Sequence, residues 1–212
     1  MNKNKNIRKK LLPVCDLCKH KKCYKEGTDC FNLKEMSQKE YKGNHLMLSK
    51  VATGIEAAHY MRKTRLEELI LFAETMGYQK LGIAFCIGLS GEAQILAEIL
   101  RKKFSVIAIC CKVCGIDKTN LNLDKIHTDN YEAMCNPIGQ ALLLNKHKTN
   151  LNILCGLCIG HDVLFTEYSN APVTTFIVKD RILAHNTAAS LYCQYLRKRI
   201  SSGDPLAPDT IH

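Results

Sequence analysis

The fold is decided by Leu81-Gly-Ile-Ala-Phe-Cys86, the loop Gly88-Leu-Ser-Gly91, the amphipathic run Glu92–Lys103 and then Ser105-Val-Ile-Ala-Ile-Cys110. Two short apolar runs without polar alternation bracket a segment of helical period. Such runs suit strands buried on both faces, and a helix between two of them predicts a parallel βαβ unit. The pattern continues downstream. Pro137–Asn145 reads as a helix with proline in its first turn. Leu151-Asn-Ile-Leu-Cys155 reads as a third strand and Val173-Thr-Thr-Phe-Ile-Val178 as a fourth. Lys179-Asp-Arg181 then reads as a turn into a short strand, Ile182–Ala184, which would add an antiparallel edge. A last helix is expected over Thr187–Arg199, with Cys193 packed in its middle.

Upstream, Leu48, Val51, Ala52, Ile55, His59, Leu66, Leu69, Ile70 and Ala73 recur at helical spacing across 46–76, with Gly77 as a C-cap. The expected organisation is a disordered basic tail over 1–12, a cysteine-rich metal-binding segment over 13–45, an α/β domain over 46–200 and a flexible tail over 201–212. The predicted fold class is α/β: a mainly parallel sheet flanked by helices, with a small N-terminal cysteine-rich metal-binding segment.

Composition narrows the function. The 212 residues are 46% hydrophobic and 24% charged, as in ordinary globular domains. Met1–Lys10 is Asn- and Lys-rich with no apolar h-region after it, so a cytoplasmic protein is expected. The uncharged stretches 81–91 and 149–160 are too short for a membrane span. Twelve cysteines in a reducing compartment point to metal, cluster or thiol chemistry rather than disulfides. The formal charge of +10 raises a nucleic-acid partner, but the basic runs are scattered, no aromatics interleave them and the chain lacks tryptophan. Nucleic acid is therefore the less favoured partner.

The N-terminal motif is Cys15-x2-Cys18-x4-Cys23-x6-Cys30. Four thiols within sixteen residues, among polar and basic neighbours, suit a zinc site or an iron–sulfur cluster, and spacing alone does not separate the two. His20 lies inside the loop as an alternative ligand. A second set is dispersed in sequence. Cys86, Cys110–Cys111 and Cys155 end successive strands, and Cys114 and Cys158 follow closely. In an open parallel sheet those ends share one edge, where ligands bind. Cys135 precedes the Pro137 helix, whose N-terminus favours a thiolate. Cys86, Cys111, Cys135 and Cys158 are the expected shared site, because adjacent strand residues face opposite ways and only one of Cys110–Cys111 reaches it. His161 follows Cys158 as a ligand or proton donor. Ser90 is expected to N-cap its helix. His185 is a weaker proton-transfer candidate, and Asn186 is expected to N-cap the last helix.

Phe85-Cys-Ile-Gly-Leu, Cys110-Cys-Lys-Val, Met134-Cys-Asn-Pro-Ile-Gly-Gln140, Gly156-Leu-Cys-Ile-Gly-His-Asp162 and the stretch Ala171-Pro-Val-Thr-Thr to Ala184-His-Asn186 resemble an uncharacterised metal-binding family of archaea and anaerobic bacteria, domain of unknown function 1847. The resemblance runs over about residues 13–200. It implies functional weight on Cys15, Cys18, Cys23, Cys30, Cys86, Cys110, Cys111, Cys135, Cys158 and His161, and it leaves out Cys114 and Cys155. It supplies no reaction.

The function expected from the sequence is a metalloprotein with two thiolate sites. The N-terminal Cys15, Cys18, Cys23 and Cys30 would hold a structural metal or a relay cluster. Cys86, Cys111, Cys135 and Cys158 would form the working centre, as iron–sulfur or zinc, for redox or sulfur-transfer chemistry with a redox partner protein. His161 would supply a proton and Lys112 would stabilise an anion. Two alternatives stand beside it: a metal-free thiol enzyme with Cys135 as nucleophile and His161 as base, and a zinc-stabilised interaction or nucleic-acid-binding module.

Overall fold

The computed structural model describes residues 13–202. The expected tail over 1–12, and all of the expected tail over 201–212 except Ser201 and Ser202, lie outside them; those two serines belong to the last helix. Two units separate at Ser49/Lys50. In the first, a turn at Cys15–Leu17 is followed by two short helices, α1 (Lys22–Glu26) and α2 (Lys34–Glu40). Every described residue from Pro13 to Met47 is exposed.

The chain continues through α3 (Gly43–His59) and α4 (Arg65–Thr75). The sequence pattern over 46–76 is therefore two helices rather than one. The break has a local cause: Thr64 caps α4 through a capping box with Glu67, which satisfies free N–H groups at a new helix start. These bonds also hold the Glu67 carboxyl down to about 2. Gly77, at φ +70°, closes the far end as expected.

Four strands follow in the predicted places: β1 (Lys80–Phe85), β2 (Ser105–Cys110), β3 (Leu151–Cys155) and β4 (Val173–Ile177). Their order is β2-β1-β3-β4, and every pairing is parallel. The connecting helices are α5 (Ser90–Arg101), α6 (Pro137–Lys146) and α7 (His161–Tyr168). From β1 the chain steps one way to β2, then back past β1 to β3. Crossovers of one hand place α5 and α6 on opposite faces. The strand order reverses between β1 and β3, and the carboxyl ends there form the crevice in which open α/β sheets bind ligands. Ala93, Leu96, Ala97 and Leu100 of α5 belong to one buried core with Leu81, Ile83 and Ile153 of the sheet, Leu144 of α6 and Phe165 of α7.

Several expectations are corrected. Ile182–Ala184 is not a strand, and among the described residues the sheet has no antiparallel edge. The Asp180 carboxylate accepts the N–H groups of Ile182 and Leu183, and Ala184 and His185 both adopt positive φ, so the backbone curls into a turn. The last helix is split into α8 (Ala189–Tyr192) and α9 (Gln194–Ser202), with extended Cys193 exposed between them rather than packed mid-helix. Asn186 does not cap either helix; Ala188 stands at the N-cap of α8. Ser90 is the first residue of α5 rather than its cap, because the turn at Ile87–Leu89 runs straight into the helix.

Candidate functional site

The carboxyl edge of the sheet is built by three loop starts. Cys86 follows β1, Cys111 follows β2, and the segment after β3 carries Cys158 and then α7. The first two thiols are buried. The Cys86 N–H donates to Cys155 O at 3.2 Å, and the Cys111 N–H donates to Phe85 O at 2.8 Å, so both loops continue the register of the sheet. Past β2 the chain makes an excursion and returns. Asn136 N–H donates to Cys111 O at 2.7 Å, and the Asn136 side chain accepts from Gly139 N–H to cap α6. This cap delivers Cys135, half-buried, beside Cys111.

There Cys111 and Cys135 lie close enough for each to set the ionisation of the other. Lys112 Nζ lies 3.5 Å from Cys135 Sγ and 2.6 Å from Ala133 O. The Cys111 sulfur also accepts the Ile87 N–H at 3.3 Å. The consequence is an unequal pair. The Cys111 side chain, helped by the charges of Lys112 and His161, holds Cys135 down to about 5, well below a free thiol. Cys111, which stays protonated and is buried, is pushed far up. Cys86 lies near enough for its charge to raise Cys111 and Cys155 alike.

Of the other expected residues, Cys158 is half-buried, and its sulfur accepts from Arg181 Nη2 at 3.1 Å rather than from another cysteine. Its carbonyl accepts the N–H groups of His161 and Asp162 at the start of α7. His161 is the first residue of that helix, close enough to Cys135 for its charge to be felt. Cys155 is fully buried, and burial raises its thiol to about 11, as befits a packing residue. Cys110 is half-buried against the core, and Cys114 is exposed. His185 accepts the Asp180 N–H on Nδ1 at 3.1 Å, a loop-fixing role.

The N-terminal thiols Cys15, Cys18, Cys23 and Cys30 are all exposed. Backbone N–H groups of Lys21 and His20 bond to the Cys18 sulfur and lower it. Four soft donors in one short segment match a thiolate-bound metal by chemistry. Among the described residues, however, no three His, Cys, Asp or Glu side chains are gathered to hold a metal, at either end of the chain.

Three residues escaped the sequence reading. Gln140 is fully buried, and its Nε2 donates to Phe85 O at 3.2 Å and Ile109 O at 2.7 Å. That fixes the amide orientation and leaves Oε1 without a partner among the described residues, beneath the strand ends that carry Cys86 and Cys110. Lys179 and Arg181 also reach this edge. Two cations immediately after an apolar strand were the available signal.

Comparison with known proteins places these features. A family model described as a protein of unknown function (DUF1847) matches residues 23–176. An uncharacterised protein of Methanocaldococcus jannaschii is 55% identical over 193 residues, which cover 89% of this chain and 98% of that protein. No solved structure matches. No described helix is long and apolar enough to cross a membrane.

Proposed function

Starting from a chain that belongs to the DUF1847 family, we propose that it is a thiol-chemistry protein working through a thiolate–thiol pair, Cys135 with Cys111. The observation that carries this reading is Lys112 Nζ 3.5 Å from Cys135 Sγ, beside Cys111, whose own sulfur takes the Ile87 N–H at 3.3 Å. A cation on a sulfur favours its ionised, nucleophilic form.

The pair can complete an exchange. Cys135 attacks one sulfur of a disulfide R–S–S–R′, forms a mixed disulfide with the RS sulfur and releases R′S⁻. Cys111 then attacks the Cys135 sulfur, and its proton goes to a departing thiolate. A Cys111–Cys135 disulfide forms and RS⁻ leaves. Two protein thiols have been oxidised by two electrons and the substrate disulfide reduced to two thiols. A dithiol-bearing redox partner would return the electrons. His161, near Cys135, is placed to supply or take a proton.

A second reading concerns the N-terminal segment alone. A stretch with every described side chain exposed from Pro13 to Met47 has no core of its own, and segments this small generally need a metal or cross-links to hold a structure. Its four thiols would supply zinc or cluster ligands.

The test of the first reading is the pH dependence of alkylation at Cys135, followed by peptide mapping of the reduced full-length chain. With a midpoint of about 5, the rate rises through that region and is level by neutral pH. An ordinary thiol rate would still be climbing about tenfold per pH unit there. A Cys135 rate that climbs in that way to about pH 8.5 would overturn the pair.

A further inference from the structure

Gln140 is fully buried in α6, one turn after the Asn136 cap. Its Nε2 donates to Phe85 O at 3.2 Å and to Ile109 O at 2.7 Å. Both carbonyls lie at the ends of adjacent strands: Phe85 closes β1, and Ile109 is the last residue but one of β2. One amide group therefore ties two strand ends to the helix that follows Cys135. Phe85 O also takes the Cys111 N–H at 2.8 Å, so Gln140 and the backbone of Cys111 meet on the same oxygen.

Each of these carbonyls stands two residues before a member of the thiol site. Two residues beyond Phe85, the Ile87 N–H donates to Cys111 Sγ at 3.3 Å. Two residues beyond Ile109 is Cys111 itself. On the helix side, the Gln140 N–H donates to Asn136 O at 3.1 Å, and the N–H of Asn136, the neighbour of Cys135, donates to Cys111 O at 2.7 Å. Gln140 and Asn136 thus hold three chain segments in one hydrogen-bonded frame: the loop starts after β1 and β2, and the approach to α6. Packing does not account for an amide at this place. Gln140 Oε1 has no partner among the described residues. A buried oxygen left unpaired costs free energy, and an apolar side chain of the same shape would fill the space without that cost. What the amide adds is its two donated bonds.

We propose that Gln140 is a positioning residue for the thiol pair: by bridging Phe85 O and Ile109 O it sets the placement of Cys111 from which a bond to Cys135 forms. This rests on the exchange reading of that pair. Sulfur–sulfur bonding is demanding in geometry, and a misplacement of about 1 Å costs reacting groups on the order of a hundredfold.

The experiment equilibrates the reduced full-length chain, without oxygen, against mixtures of glutathione and glutathione disulfide. Forming the Cys111–Cys135 bond releases two thiol hydrogens, and glutathione disulfide takes them up with two electrons to give two glutathione thiols. Acid quenching and peptide mapping give the fraction cross-linked between these two residues, hence the equilibrium constant, and a urea titration of each protein reads stability beside it. Gln140→Met, similar in shape and without the donors, is expected to lower the constant roughly tenfold or more. Leu144→Ala is the comparison. It lies one turn further along α6, where the fully buried side chain packs against β1 at Gly82. It is expected to lower the urea midpoint and leave the constant unmoved. Should Gln140→Met not fold, Gln140→Glu, which keeps the shape with at most one donor, carries the same expectation. A constant unmoved in a folded Gln140 variant, or lowered equally by Leu144→Ala, would overturn the positioning role while the pair stands. A wild-type chain that forms no Cys111–Cys135 bond in any mixture would overturn the exchange reading and this inference together.

Discussion

Cys111 and Cys135 ionise as a pair, and the asymmetry of their surroundings decides which carries the charge. Cys111 is buried behind the Ile87 turn, where a charge is expensive. Cys135 is half-buried and faces Lys112. Cys111 is the largest influence holding Cys135 at about 5. Cys111→Ala should therefore move the Cys135 midpoint upward, towards the free-thiol value of about 8.5. The sign is fixed: the variant has less thiolate at neutral pH, and the thiolate ultraviolet absorbance titrated against pH will show it. An unmoved midpoint would mean that Lys112 and His161 alone ionise Cys135. The cysteine identities were legible in the sequence, but this pairing was not. It joins residues 24 positions apart, across an excursion whose return path only the fold sets.

At the scale of elements, β1 and β3 are fitted to each other at Gly82 and Asn152, which are paired in register. Asn152 is fully buried, with its oxygen accepting from Thr149 Oγ1 at 2.8 Å and its amide donating to Ser169 Oγ at 2.8 Å. A Cβ on Gly82 would run into the Asn152 oxygen and come within 2.8 Å of Leu144 Cδ1. Gly82→Ala should thus destabilise the domain by about 1–3 kcal/mol, the usual cost of overpacking, as a lowered urea midpoint with its slope unchanged. On the free edge of β4, Arg65 donates to Thr175 O through Nε at 3.0 Å and Nη2 at 2.7 Å, covering a carbonyl that would invite another strand. The four strands were readable because each is a compact apolar run. α7 was not, since its eight residues include one buried side chain, Phe165, too few for a helical period. The false strand at Ile182–Ala184 came from reading apolar residues without the Asp180 carboxylate that bends them.

The whole molecule pairs a described N-terminal segment without buried side chains with a domain whose core is ordinary. The two should respond differently to metal removal. If the four N-terminal thiols hold a metal, anaerobically purified protein carries zinc, or iron with acid-labile sulfide, and Cys15→Ser loses it. A chelator then opens residues 13–45 to limited proteolysis while residues 50–202 stay intact, with fragments identified by mass spectrometry. Metal-free protein with the same protection pattern would remove the N-terminal metal reading. The fold class also follows at this scale: strand order β2-β1-β3-β4 brings the ends of β1 and β3 together where the winding reverses, with Cys86 and Cys155 at those ends and Cys111 at the end of the next strand, β2.

By itself the sequence determined the strands, the parallel α/β class and the edge on which the cysteines gather, because apolar runs and helical periods are local properties and parallel connections admit few topologies. Tertiary structure alone decided which thiols meet. Cys111 finds Cys135, while Cys158 is taken by Arg181 and Cys155 is spent on packing. It also decided that Lys179 and Arg181 face this edge. Such contacts depend on loop paths a few ångströms wide, and those are set by caps, turns and buried hydrogen bonds acting between residues distant in the chain.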